Sequence, residues 1–213
     1  FIYRLNRSLM IIIGITGSIG MGKSTIANML KQFKIPVFDS DKEVRDILDN
    51  NDSVKKQIYD LWPDVILTKT KEKVIDKNLL GRKIFGNKKY RKILESIIHP
   101  QVMKRRNIFI KSVEKSLIVA LDVPLLYETG TDKICDDIFL VYTDEETQKK
   151  RVLERSSMTQ KKLDLIKKAQ WNDQKKRKKK PYLVTTSYGK FVSFIIITSY
   201  LITILFKKKI LRL

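Results

Sequence analysis

The sequence is poor in several residue types, and each shortage removes a class of protein. Among 213 residues there is one cysteine, Cys135, and one histidine, His99. A lone thiol cannot build an intramolecular disulfide framework or a multi-cysteine zinc site. A lone imidazole cannot build a His-rich metal site. Such usage reads as a reduced, cytoplasmic setting. Eight glycines and five prolines exclude collagen-like and low-complexity architectures. Acidic residues are scarce beside basic ones, 23 against 44, for a net charge of +21. Hydrophobic residues at 43% and charged residues at 31% fit a globular chain rather than a disordered one. The length suits one large domain, or a core with a small insertion.

The basic excess is uneven. Thr147 to Lys180 holds 14 basic residues and three acidic ones. Such charge serves nucleic acid, an anionic membrane or phosphorylated small molecules, or it is a plain lysine-rich surface. The first nine residues, FIYRLNRSL, lack the apolar core of a signal peptide, so the domain is expected to begin at Met10. Near the other end, Phe191 to Phe206 runs without a charge and is followed by Lys207, Lys208 and Lys209. A spanning helix needs about 20 apolar residues, with about 17 as the lower limit. The run reads first as a terminal helix or strand buried in the core or in a dimer. A membrane-associated helix with a basic flank and an unfolded tail are the alternatives.

Met10–Ile15 (MIIIGI) is a short apolar run rich in β-branched residues, the pattern of a buried parallel strand. A Gly-rich stretch, Thr16–Lys23, leads into Ser24–Phe33, with Ile26, Met29, Leu30 and Phe33 at helical spacing. Ile35–Phe38 is a second short strand. Ser40 is placed as the cap of a helix through Leu48, with Glu43 completing a capping box. Strand, loop, helix, strand is a βαβ unit, hence a parallel sheet with right-handed crossover. From Asp52 to Ser116 the apolar spacing is helical, which predicts a mainly helical insertion. Leu117–Leu121 and Ile138–Tyr142 return to the strand pattern. Glu145–Arg155 reads as a helix, Ser156–Lys180 as a polar, basic, mobile stretch, and Tyr182–Thr186 as a last strand.

Gly17-Ser18-Ile19-Gly20-Met21-Gly22-Lys23-Ser24 fits the phosphate-loop pattern G-x-x-x-x-G-K-[ST] in full. It follows a predicted strand and opens a predicted helix, the context that the pattern requires. The glycines let backbone N–H groups wrap around phosphate oxygens, and the helix N-terminus adds its positive dipole end. Lys23 is expected on the β- and γ-phosphates and the Ser24 hydroxyl on Mg²⁺. Asp122 ends an apolar strand, where P-loop enzymes carry a second acidic group near the metal. A strand-end cap is its structural alternative. Asp39 and Asp41 follow the second strand, at the sheet edge where open parallel sheets bind ligands. They could accept a proton from an alcohol or hold a ribose, or they could simply cap a helix.

Taken together, GITGSIGMGKST at 14–25, PVFDSD at 36–41, His99-Pro100, LDVPLLYE at 121–128 and the spacing of Gln148, Arg151, Arg155 and Gln170 resemble the dephospho-CoA kinase family. The resemblance covers Met10 to about Lys180. It implies a three-layer α/β/α P-loop fold with a parallel sheet, a helical CoA-binding insertion and a lid. It implies transfer of a phosphoryl group from ATP, with Mg²⁺, to the ribose 3′-hydroxyl of dephospho-CoA, the last step of coenzyme A synthesis. The family's catalytic aspartate falls on Asp41, with Asp39 beside it. Its lid arginine falls on Arg155, with Arg151 one turn before; with the loop residues through Thr25, these are the expected nucleotide contacts. His99 and Arg105 fall in the CoA domain, and Pro124, Leu125 and Glu128 in the DVPLLYE block, as expected substrate contacts. Catalysis is then expected from Asp41, Lys23 and Arg155.

The implied domains are a core at 10–50 and 117–155, an insertion at 51–116, a lid at 156–180, and a strand with apolar tail at 181–213. The final strand departs from the family, with Pro181 and Thr185 near an expected Asp and Asn, which puts its adenine contacts in question. The run at 175–180, KKRKKK, reads as a solvated face. Competing readings are a kinase for another small alcohol or nucleoside monophosphate, a nucleic-acid binder, and a membrane-tethered protein. No nucleic-acid partner is expected, because basic patches interleaved with base-stacking aromatics are lacking. A membrane partner is disfavoured, and a monomer or weak homo-oligomer is expected.

Overall fold

The computed structural model describes residues 10–67, 74–85, 87–155 and 158–210. In chain order the elements begin with β1 (Ile11–Thr16), α1 (Lys23–Gln32), β2 (Val37–Asp39), α2 (Ser40–Asn50) and α3 (Asp52–Leu61). Next come β3 (Ile66–Leu67), β4 (Val74–Ile75), α4 (Lys77–Phe85), α5 (Lys88–Ser112), β5 (Ile118–Asp122) and β6 (Asp137–Tyr142). The chain continues with α6 (Glu145–Leu153), α7 (Gln160–Ala169), α8 (Asp173–Arg177), β7 (Tyr182–Thr185) and α9 (Gly189–Ile210). Contacts group these into two compact units. One takes the chain up to Phe38 and again from Val113, and the other is Asp39–Ser112. Helix α2 therefore groups with the second unit, whereas the sequence reading put residues 40–50 in the core.

The first unit is built on a five-stranded sheet in the order β2-β5-β1-β6-β7. Strand β1 runs parallel to both β5 and β6, and β6 runs parallel to β7. All six residues of β1 are buried, as a continuous apolar run in a covered parallel sheet requires. Ile11, Ile13 and Ile15 pack with Ile26 and Leu30 of α1, Phe139 and Val141 of β6, and Val184 of β7. Ile197, Leu201 and Ile204 of α9 join the same core. The second unit has its own core of Ile47, Leu48, Val54, Ile58, Trp62, Leu94 and Ile98. Beside its helices it holds a small antiparallel pair, β3 with β4, that helical periodicity did not show.

Several expectations need correction. The cap of α2 is Asp39, whose Oδ1 accepts the Lys42 N–H at 2.9 Å, and Ser40 is the first helical residue. Strand β2 accordingly starts two residues later than expected. The described part of 156–180, read as a polar, basic stretch with no element of its own, carries regular structure. It forms α7 and α8 and buries Leu163. Nor is the basic run wholly a solvated face: Lys176 is fully buried, Lys175 lies 3.6 Å over the Trp171 ring, and Arg177 lies 4.5 Å over Tyr142.

The apolar run is a helix. One face of α9 packs on the core, and Phe33 of the α1 C-cap stacks on Phe194 at 5.1 Å. Phe191, Ile195, Ile202 and Phe206 are exposed on the opposite face. By length and composition α9 is long and apolar enough to cross a membrane.

Candidate active site

The loop between β1 and α1 is shaped by what surrounds it. A Cβ on Gly17 would meet the Val141 carbonyl oxygen at 2.3 Å. That atom is fixed in a strand, so only glycine fits. Gly22 sits in the left-handed region, φ 90°, and is the N-cap of α1. It has no side chain to cap the helix, and the first turn carries no acidic residue. The opening N–H groups and the dipole end of α1 thus form an anion site.

The loop carbonyls are engaged one by one. Gly17 O accepts Lys23 Nζ at 3.0 Å, Ile19 O accepts Gln148 Nε2 at 2.7 Å, and Met21 O accepts Thr186 Oγ1 at 2.9 Å. Ser18 O takes the Met21 N–H and Gly22 O the Thr25 N–H. In a trans peptide plane the N–H points opposite to the carbonyl. Fixing the carbonyls on one side therefore aims the amides at the other, which is how such a loop cradles phosphate.

Helix α6 supplies much of this support. Asp144 caps it by accepting the Thr147 N–H at 2.7 Å. That bond, with a further one from the Thr147 side chain, pulls the Asp144 carboxyl down to about 2. Gln148 and Arg151 then lie one turn apart on one face. Arg151 donates to Thr186 Oγ1 at 2.8 Å and to Thr186 O at 3.0 Å. Arg155 lies just beyond the helix and is exposed. The two expected phosphate arginines therefore differ: Arg151 holds the loop's support, and Arg155 projects into solvent.

Asp122 ends β5, opposite Ile15 in the register with β1, and is buried. Ser24 is exposed in the first turn of α1. A hydroxyl and a carboxylate are hard oxygen donors that fit Mg²⁺. Among the described residues no three His, Cys, Asp or Glu side chains gather into a metal site. Thr16 Oγ1 donates to Pro124 O at 3.1 Å, which ties the DVPLLYE block to the end of β1. Leu125 is half-buried beside it.

The segment that carries Trp171 and Asp173 is docked on the same loop. The Trp171 N–H donates to Glu128 Oε1 at 2.6 Å, and the Trp171 ring stacks on Tyr127 at 5.8 Å. Ser18 Oγ donates to Asp173 Oδ1 at 3.1 Å. Burial, seconded by the nearby Asp132, pushes the Tyr127 phenol up to about 12. Ser18, Met21, Thr143, Gln148, Trp171 and Asp173 line a cleft beside the loop.

The remaining candidates lie in the second unit. Asp39 is engaged as the α2 cap, and Asp41 is exposed in that helix's first turn. His99 is half-exposed on α5, just before Pro100. Arg105 pairs with Glu43 at 3.0 Å and with Asp46, which raises the guanidinium pKa. Sequence reasoning missed Thr186, Trp171 and Asp173. Their partners lie far away in the chain, and no local pattern marks them.

The family model for dephospho-CoA kinase matches residues 11–189. The chain belongs to the dephospho-CoA kinase family. A dephospho-CoA kinase from Rhodopseudomonas palustris is 37% identical over 182 residues, 84% of this chain and 88% of that one. A crystal structure from Thermus thermophilus superposes with a TM-score of 0.80 at 27% identity, covering 92% of this chain and 97% of the other. Dephospho-CoA kinase from Campylobacter jejuni, 24% identical, shares the fold with a TM-score of 0.65, covering 91% and 98% of the two chains. Membership makes the protein a nucleotide-binding kinase of coenzyme A synthesis, with a P-loop fold and ATP as its donor.

Proposed function

We propose that this protein transfers the γ-phosphoryl group of ATP to the ribose 3′-hydroxyl of dephospho-CoA, with Mg²⁺, in the cytoplasm and as a monomer or weak homo-oligomer. The observation that carries the reading is the loop at 17–24, whose carbonyls are held by Lys23, Gln148 and Thr186 in a chain of this family. The loop amides and Lys23 hold the β- and γ-phosphates. Arg155 takes up charge on the transferring group. Mg²⁺, held by Ser24 and Asp122, would neutralise phosphate charge when bound.

Asp41 accepts the proton of the attacking hydroxyl, a role that contributes typically about 10²–10⁴-fold. Asp39 keeps Asp41 in place by capping α2. His99 and Arg105 belong to the CoA-binding unit; Arg105 orders α2 through Glu43 and Asp46 and contacts substrate from there. Pro124, Leu125 and Glu128 shape the acceptor side of the core. The rest of the rate comes from positioning and exclusion of water rather than covalent chemistry.

Purified protein mixed with MgATP and dephospho-CoA should yield ADP and coenzyme A in equal amounts. ADP formed without coenzyme A, or turnover only with another alcohol, would overturn the acceptor assignment.

A further inference from the structure

Lys176 has no place in the mechanism above, yet it is the most unusual charge in the first unit. It is the second of six consecutive basic residues, and its side chain is fully buried. Among the described residues its Nζ has no hydrogen-bond partner. Lysine is almost never fully buried unless it is paired, and an orphan buried donor needs an explanation. Its electrostatic surroundings supply one. Glu128, after β5, and Asp173, at the start of α8, attract the ammonium, and Lys23 of the phosphate loop repels it. Glu128 Oε1 accepts the Trp171 N–H, while its Oε2 is buried with no partner among the described residues. Glu128 and Asp173 thus attract Lys176 with no ion pair to it among the described residues, and the loop lysine lies within electrostatic reach.

We propose that Lys176 is a further phosphate-binding residue, the lid's buried cation, which takes its missing hydrogen bonds from the polyphosphate that Lys23 also grips. The chemistry fits at each point. Two ammonium groups of like charge brought together in a buried place repel, and a polyanion between them reverses the sign. The segment that carries Lys176 is already anchored to the loop through Asp173 and Ser18, so the charge is delivered without a large search. Glu128, besides its place on the acceptor side, holds the lid through Trp171 and keeps Lys176 charged. Desolvation lowers the Lys176 pKa, with Glu128 and Asp173 opposing the fall. The charge is therefore lost at lower pH than on a free lysine, and triphosphate affinity should fall as pH rises through that depressed value.

The inference rests on the nucleotide half of the proposed function. Its test uses binding without acceptor, so an error in the acceptor leaves it standing. ATP and inorganic tripolyphosphate are titrated calorimetrically into the full-length protein and into Lys176→Met and Lys176→Arg. The expected result is a loss of about 10- to 100-fold for both ligands in Lys176→Met, the scale of one charged hydrogen bond, with partial recovery in Lys176→Arg. The ligand-free thermal midpoint of Lys176→Met should match or exceed wild type, because an unpaired buried charge is removed. Unchanged tripolyphosphate affinity in Lys176→Met would overturn the proposal. So would a lowered midpoint accompanied by equal losses in both variants, which is the mark of a packing role.

If Lys176→Met is too unstable to titrate, the wild-type pH profile decides. Tripolyphosphate affinity should begin to weaken at a pH below the ordinary lysine value of about 10.4, and Lys176→Arg should remove that early loss. A wild-type profile that superposes on the arginine variant overturns the assignment.

Discussion

Thr186→Val tests whether the phosphate loop is held in shape from outside. The substitution trades a hydroxyl for a methyl of similar size, so it opens no cavity. It removes the donor to Met21 O and one of the two acceptors of Arg151. The second Arg151 bond, to Thr186 O, is a backbone contact and survives. Thr186 is 5% exposed and its bond to Met21 O is buried, so the orphaned carbonyl finds no water. Leaving a buried acceptor unsatisfied costs about 1–3 kcal/mol. For a domain of this size that lowers the melting midpoint by roughly 2–12 °C. The loosened Met21–Gly22 peptide also misplaces amides of the anion site, so the ATP KM should rise several-fold. Thr186→Ser keeps the hydroxyl and should stay near wild type in both measurements. Thermal unfolding followed by circular dichroism and a coupled ADP assay give the two readouts. A valine variant that melts within about 1 °C of wild type with an unchanged ATP KM would refute the idea that this hydroxyl shapes the loop.

Other substitutions separate chemistry from support. Lys23→Ala and Asp41→Asn should each cut turnover by about 10²-fold or more while the circular dichroism spectrum is retained; full activity in either removes its assigned role. Arg155→Ala should lower kcat with an unchanged melting midpoint because Arg155 is exposed, whereas Arg151→Ala should lower the midpoint because it strips Thr186 of its partner; the reverse pattern in melting curves would exchange their roles.

The Asp144 cap carries a pH signature. Its carboxyl is held down at about 2 by the Thr147 N–H, so the ionised form is favoured in the folded state. Its stabilisation is full above the unfolded value near pH 4 and fades as pH falls toward about 2. Asp144→Asn still caps but cannot titrate there. The gap between the two melting curves should close on acidification from pH 5 to pH 2, and a constant gap would argue against this linkage.

The nucleotide loop was legible because all its information is local. Eight consecutive residues state the turn, the lysine and the helix start, and the apolar runs on either side state strand and helix. Asp122 was legible for the same reason, as the polar end of the run LIVAL. The loop's supports were not legible as supports: Gln148 was marked only by its spacing, and Gln148 and Thr186 reach the loop across 129 and 165 residues of chain. Lys176 was misread for a related reason: a lysine among lysines looks solvated until tertiary structure closes over it. At Asp39-Ser40-Asp41 every residue can cap a helix, so the frame depends on where β2 ends, and the pairing of β2 with β5 decides that. Hydropathy alone found the apolar run of α9 but could not say which side would be covered. That depends on α1, which is about 160 residues earlier.

The division of the first unit along the chain sets an order of assembly. Strand β1 and helix α1 leave the ribosome before the rest of their unit, with a fully buried strand and four of the core isoleucines among them. Their neighbours β5, β6 and β7 follow only after the whole of Asp39–Ser112 has been made, and α9 comes later still. The intervening unit is contiguous and can close its own core first. The nascent β1 meanwhile waits as an unpaired hydrophobic edge, the kind of segment that chaperones bind and aggregates recruit. Yield in the cell should therefore depend on how quickly synthesis proceeds between Ser112 and α9.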